Sequence, residues 1–284
     1  MTADDMTLLE TFFAGYTRRF AGADGRLHPM QQLKVAHSWR VVANAEHIMT
    51  AGQWPEAPRR LGRAAALLHD VGRFSQYAET GSFEDRRSFD HAARSAEVLL
   101  AEGVLSALSA GARETILAAV RQHNVRELPA TLAAAQARFA HLVRDADKLD
   151  IFRVLEDAIR DGHLEDHPEI AWSLPETGLA NPVILAAVSA GQTVSYQHVH
   201  SLCDFVLIQV GWLHSLLHYD AAVALAAARG ALEFRERFVC AVDDSSAVRA
   251  CFAATRAAMQ VRLDKYTQGG RGPAGREGGC SCAG

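Results

Sequence analysis

Apolar residues return every three or four positions over residues 33–49, 61–68, 92–100, 113–120 and 134–159, the period of a helix with one buried face. A strand cannot use that spacing, because its side chains alternate with a period of two. Ala, Leu, Arg and Glu fill these stretches and β-branched runs are short, so propensity agrees with periodicity and an all-α fold follows. Pro55 and Pro58 precede the second stretch, and Gly72 follows its end. Ser88 is placed to cap a helix starting near His91, and Gly103 closes that helix. Nothing repeats at a fixed period, which excludes a solenoid.

At 284 residues the chain is long enough for one large domain or a core with an appended part. Residues 1–160 read as the helical core. Residues 161–190 carry Pro168, Pro175 and Pro182 and the polar run "GHLEDHPE", and read as a long connection. Helical pattern resumes over 194–230 and 233–266, where "DFVLIQVGWLHSLL" is too apolar all round for a free surface helix. Residues 161–267 are therefore expected as a helical extension packed on the core. Residues 268–284 form a Gly-rich tail expected to be disordered. In it Gly270, Gly272 and Gly275 match a dinucleotide-binding spacing by chance, with no strand before and no helix after. The Cys280 and Cys282 pair reads as an accident of the tail.

Bulk charge narrows the partners. A hydrophobic share of 49%, a charged share of 22% and a net charge of -4 give no attraction to a nucleic-acid polymer or a membrane, and leave a small-molecule substrate. No apolar run approaches the roughly 18 residues of a membrane span, and the acidic start at residues 1–10 lacks the pattern of an export signal. The cysteines are five in number and clustered late, unlike a secreted disulfide framework. A reduced, cytoplasmic protein is expected.

The stretch "AAALLHDVGRFSQY" then poses a physical problem: five apolar residues lead straight into His69 and Asp70, and a carboxylate is costly to bury without a partner. Other polar residues share that setting. His37 sits in "LKVAHSWRVV", His91 in "SFDHAARSAEVL", His123 in "ILAAVRQHNV" and Asp147 in "FAHLVRDADKLDIF". One histidine on a core-like helix is usually a satisfied core residue. Five such sites together, two carrying carboxylates, point to a borderline divalent ion, which takes neutral imidazole and carboxylate and removes the unpaired charge.

His37, then His69-Asp70, then Asp147 in "DADKLD" resembles the H…HD…D signature of the HD-domain superfamily, mostly metal-dependent phosphohydrolases and phosphodiesterases. The flanks "HDVGRFSQY", "SFDHA", "RQHN" and "RDADKLDIFRV" are similar to one bacterial branch of it. The resemblance implies an all-α HD-domain bundle, here with additional C-terminal helices, and a metal site formed by His37, His69, Asp70 and Asp147. It further implies that His91 and His123 serve a second ion, with Asp70 bridging the two. The cofactor is one or two divalent ions among Mn, Fe, Mg, Ni, Co and Zn. The activity implied is hydrolysis of a small-molecule phosphate ester or nucleotide by a metal-activated hydroxide.

Cations near these ligands are candidates for phosphate. Arg73 follows the HD pair, and Arg144 and Lys148 flank Asp147; Asp70, Arg73 and Lys148 are expected to act in catalysis, and Arg73, Arg144 and Lys148 to hold substrate. Asp150, one turn beyond Asp147, is expected to orient a ligand or Lys148. Val71, Gly72 and Arg73 stand where many relatives acting on nucleoside monophosphates or guanosine tetraphosphate carry an acidic residue, which argues against those substrates. The Gly-Tyr-Pro segment of cyclic-dinucleotide phosphodiesterases is missing. The same ligands also serve di-iron HD-type oxygenases, the competing enzyme class, and a non-catalytic metal-binding regulatory protein is the third reading. His28, His47, His141, His163, His167, His198, His200, His214 and His218 are read as surface or satisfied core residues.

Overall fold

The computed structural model describes residues 1–85 and 88–269. Among them every regular element is helical: α1 (Ala3–Arg18), α2 (Pro29–Ala51), α3 (Glu56–Leu68), α4 (Gly72–Thr80), α5 (His91–Ala101), α6 (Ala110–Gln122), α7 (Ala134–Arg160), α8 (Pro182–Ser189), α9 (Leu202–Gly211), α10 (Asp220–Ala228), α11 (Ala231–Val242) and α12 (Ser246–Gly269). The starts are set by side chains that accept the free first-turn N–H groups: Thr2 with Asp5 in a reciprocal box, Asp90 before α5, Ser109 before α6 and Ser201 before α9. Asp90, not Ser88, caps α5. The Ser88 hydroxyl instead takes a hydrogen bond from Gln76 Nε2 at 2.8 Å.

Helices α2, α3 and α7 pack on one another, α6 closes against α3 and α7, and α4 and α5 pair beside them. Leu67, Leu68, Ile116 and Leu142 are fully enclosed there; each such side chain contributes about 1.5–3 kcal/mol through burial. Gly72 does not end a helix, as its place in the sequence suggested, but begins α4. Between α3 and α4 the chain makes a tight turn, with Val71 N–H donating to the Leu68 carbonyl and Arg73 N–H to that of Asp70. A Cβ on Gly72 would lie 2.5 Å from the Ser95 nitrogen and 2.8 Å from the His91 carbonyl oxygen, so only glycine lets α5 approach this turn.

The later helices rest on α7. The fully buried Arg235 of α11 donates to the carbonyl of Phe152 at 3.0 Å and to Gln209 Oε1 at 2.6 Å, and lies over the Phe152 ring. Asp145 of α7 accepts the backbone N–H groups of His218 and Tyr219 at 2.8–3.0 Å, holding the segment before α10. Hydrophobic packing runs without a break from Met6 to Met259. Residues 161–190 are more ordered than a connection, since Asn181 and Pro182 start α8 there. The span 194–230 is divided by a π-helical turn at Trp212–Leu216 and an extended Leu217, and 233–266 by Asp243. The last helix runs through Gly269; the tail from 270 on, with Cys280 and Cys282, lies outside the described residues. No helix among the described residues is long and apolar enough to cross a membrane.

Candidate metal centre

The turn between α3 and α4 presents His69 and Asp70 as consecutive side chains to the same interior space. Helix α2 brings His37, the start of α5 His91, the end of α6 His123, and the middle of α7 Asp147. All six expected ligands meet, and all are buried. His37 Nε2 stands 3.3 Å from His69 Nε2, 3.2 Å from Asp147 Oδ1 and 3.6 Å from Asp70 Oδ2. His69 Nε2 is 3.5 Å from Asp70 Oδ2 and 3.8 Å from Asp147 Oδ1. The other oxygen of Asp70 turns the opposite way: Oδ1 lies 3.5 Å from both His91 Nε2 and His123 Nε2, which are 2.9 Å apart. Two donor sets therefore share one carboxylate.

The outer nitrogen of each ring explains why the inner ones converge. His37 Nδ1 donates to Asp150 Oδ2 at 2.7 Å and His91 Nδ1 to Asp85 Oδ2 at 2.6 Å. His69 Nδ1 donates to the Ala66 carbonyl and His123 Nδ1 to the Val120 carbonyl, each at 2.7 Å. These bonds put the proton on Nδ1 and turn the Nε2 lone pair inward in all four rings. Lone pairs facing each other at 2.9 and 3.3 Å repel unless a positive centre stands between them. Asp70 Oδ1, fully enclosed, has no hydrogen bond among the described residues. Donors around an ion with bonds of about 2.0–2.2 Å are separated by about 2.9–3.6 Å, depending on coordination number; the two sets, at 2.9–3.8 Å, fit.

Ionisation agrees with that use. Burial opposes charge on Asp70 and Asp147, yet Lys34 and His69 beside the first and the His37 hydrogen bond to the second hold both carboxyls well below the usual range. Burial pushes His69 down to about 3, and burial with the nearby Arg73 charge pushes His91 down to about 4, so both stay neutral and able to ligate. His37 moves the other way: burial and Lys34 disfavour its charge, but its bonds to Asp147 and Asp150 prevail and raise it.

Around the ligands lies a cavity of about 350 Å³ that Lys34, Arg73 and Lys148 line. Lys148 is enclosed, makes no hydrogen bond or ion pair among the described residues, and lies 5.1 Å from the centre of the Trp212 ring. Burial pushes its pKa down to about 8. Arg73 is fixed by Gln76, the Phe83 carbonyl and Asp85, with its Nε 3.7 Å from Asp70 Oδ1. Arg144 departs from the sequence expectation of a substrate contact. Its guanidinium is used on the carbonyls of Gln122, Val125 and Arg126, beyond the end of α6, and it does not line the cavity. Asp150 holds the His37 ring through Nδ1, and Arg40 in turn grips both its oxygens at 2.6 and 2.9 Å.

Two polar partners escaped the sequence reading. Lys34 donates to Asp70 Oδ2 at 2.9 Å, and its position three residues before His37 on the same helix face could have disclosed it. Asp85 reaches His91 from a loop, where no periodicity announces a contact. A further acidic group, Asp85 and Asp90 with His91, is used otherwise: Asp90 caps α5 and accepts from Asn124.

The HD-domain family model matches residues 35–151, a span that opens just before His37 and closes just after Asp150. The chain carries an HD domain. No curated protein and no solved structure matches it. Every candidate ligand falls within the HD domain, while Trp172, Tyr196, Phe205 and Trp212, which line the same cavity, lie beyond the matched span.

Proposed function

We propose that this HD-domain protein is a metal-dependent phosphohydrolase acting on a small phosphate ester. The observation that carries the reading is the division of Asp70 between two inward-facing donor sets, beside a buried lysine that makes no ion pair among the described residues. His37, His69, Asp70 and Asp147 would hold one divalent ion, and Asp70, His91 and His123 a second. Bound there, such ions supply Lewis acidity and an activated water near neutral pH.

The chain's own groups do the rest. Lys148 offers its ammonium, which makes no direct ion pair among the described residues, to a phosphoryl oxygen. Lys34, paired with Asp70 Oδ2 at 2.9 Å and lining the same cavity, adds a second cation. Arg73 braces Asp85, which keeps the His91 ring in its tautomer, and its charge stays close to Asp70. Asp150 does the same for His37. The enclosing walls keep bulk water from the cations and so strengthen their hold on an anion.

The donor set also suits iron and oxygen chemistry, while the cations of the cavity favour an ester anion. The test is hydrolysis of p-nitrophenyl phosphate and bis(p-nitrophenyl) phosphate by protein of measured metal content, with and without oxygen. Turnover in the absence of oxygen is expected, and Asp70→Ala should abolish both turnover and metal retention while leaving the helical circular dichroism intact. A fully active Asp70→Ala protein, or turnover that requires oxygen, overturns the proposal.

A further inference from the structure

The cavity lining is of two kinds. One comprises the ligands and cations; the other is formed by Ile151, Val154 and Leu155 of α7 and by Ile170, Trp172, Tyr196, Phe205 and Trp212. The Trp172 ring stands 4.5 Å from the Phe205 ring and 5.2 Å from that of Tyr196, at interplanar angles of 48° and 76°, an edge-and-face cluster. Lys148 meets this wall directly, its Nζ 5.1 Å from the Trp212 ring centre, while Lys34 Nζ lies 5.4 Å from the ring centre of Phe83, which also lines the cavity. An anion held by these lysines therefore has aromatic faces as its next neighbours.

Trp172 is set in place at a cost. It and Ser173 have φ of 57° and 54°, two successive left-handed residues without a glycine. The turn is held by Ser173 N–H donating to the Pro168 carbonyl at 2.7 Å and Trp172 N–H to that of Glu169 at 3.2 Å. Such a backbone persists only where its surroundings enforce it, and here it turns an indole toward the cavity.

We infer that the segment from Ile170 to Trp212 makes this a site for phosphate esters whose organic part is a flat, largely apolar ring, with Trp172 and Tyr196 as the residues that determine specificity. The inference rests on the phosphohydrolase reading and adds the substrate class to it. The lining also holds Glu84, Asn124 and Glu169, but hydroxyl groups of a polyol or sugar set against Val154, Leu155 and Ile170 lose water without gaining partners. A ring gives up little hydration and stacks. Because the HD-domain match stops at residue 151, the reaction and the selectivity come from different stretches of the chain.

The experiment uses the full chain loaded with Mn²⁺ and has a binding arm and a turnover arm. Calorimetry compares phenylphosphonate with 2-hydroxyethylphosphonate, neither of which is hydrolysed. The native protein is expected to bind the phenyl compound about tenfold or more tightly. Trp172→Ala and Tyr196→Ala should each shrink that ratio toward one without changing affinity for the hydroxyethyl compound, and Trp172→Phe should restore most of it. Equal affinity of the native protein for both, or an equal loss of both in Trp172→Ala, overturns the inference. In the turnover arm, kcat/KM for phenyl phosphate, adenosine 5′-monophosphate and glycerol 2-phosphate tells an aryl group from a nucleobase, and glycerol 2-phosphate as the best of the three also overturns it. Selective phenylphosphonate binding without hydrolysis of any ester would refute the phosphohydrolase reading alone.

Discussion

Replacing Gly72 with Ala tests the centre without touching a ligand. The new Cβ would lie 2.5 Å from the Ser95 nitrogen, 2.8 Å from the His91 carbonyl oxygen and 2.9 Å from the Arg94 carbonyl carbon, against an ordinary contact of 3.4 Å or more. All three atoms are backbone, so no side chain can swing aside and α5 must retreat by close to 1 Å. Such overpacking costs about 1–3 kcal/mol, which for a chain of this size lowers Tm by about 2–10 °C. The local effect is larger than the global one. His91 begins α5 and moves with it, and a metal site tolerates displacements of only about 0.5 Å. The His91 and His123 pair, with Asp70 Oδ1, should therefore lose its ion while His37, His69 and Asp147, on α2, the α3–α4 turn and α7, keep theirs. Elemental analysis of purified Gly72→Ala protein, with a metal titration on the chelated form, is expected to show binding reduced by one ion per chain. A variant that folds, binds as much metal as the parent and does so with unchanged affinity would refute this account of the turn.

Asp150→Ala should weaken ion binding at the His37 position by about 10- to 100-fold, since it removes the oxygen that accepts the His37 Nδ1–H hydrogen bond; a metal titration with unchanged affinity would contradict the role given to Asp150. Burial pushes Asp145 up from 3.8 to about 6, so the folded chain holds its proton more tightly than the unfolded one. The contribution of Asp145 to the stability of the metal-free protein should accordingly decline by about 3 kcal/mol as pH rises from about 4 to about 6 and level off above, against the opposite trend set by the lowered pKa values of His69 and His91. Urea denaturation of Asp145→Asn across that range should lack this decline. Lys148→Met should raise Tm by a few degrees, because burial costs this cation more than the attraction of Asp147 and Asp145 returns, and raise KM for a phosphate ester by about 10- to 150-fold. Arg144→Met should do the reverse, lowering Tm with KM unchanged, so the two variants together separate the residue facing the cavity from the one gripping carbonyls.

The ligands were legible because each is a polar residue at a position where helical periodicity demands an apolar one. The burial of His37, His69, Asp70, His91, His123 and Asp147 at such positions is what points to a common partner. Cations gave no such signal. Arg144 and Lys148 lie four residues apart on one helix, and their different fates depend on how α6 ends against α7, which spacing does not encode. Asp85 acts from a loop, and the aromatic wall comes from a stretch whose prolines resemble a plain connection. Its order depends on Arg235 and Asp145, buried groups whose partners lie up to 83 positions away.

About two turns of α7 carry Arg144, Asp145, Asp147, Lys148 and Asp150, and each faces a different structure: the end of α6, the strap before α10, the ligand cluster, the cavity and the His37 ring. A helix is a rigid register, and insertion of one residue ahead of this segment would rotate all five together by about 100°. No change of phase in α7 can thus retune the ligand cluster while sparing the ring-lined wall. Ion, anion and organic group share one axle, and substitutions that alter preference among substrates are expected to collect in the 170–212 segment, where they leave that axle still.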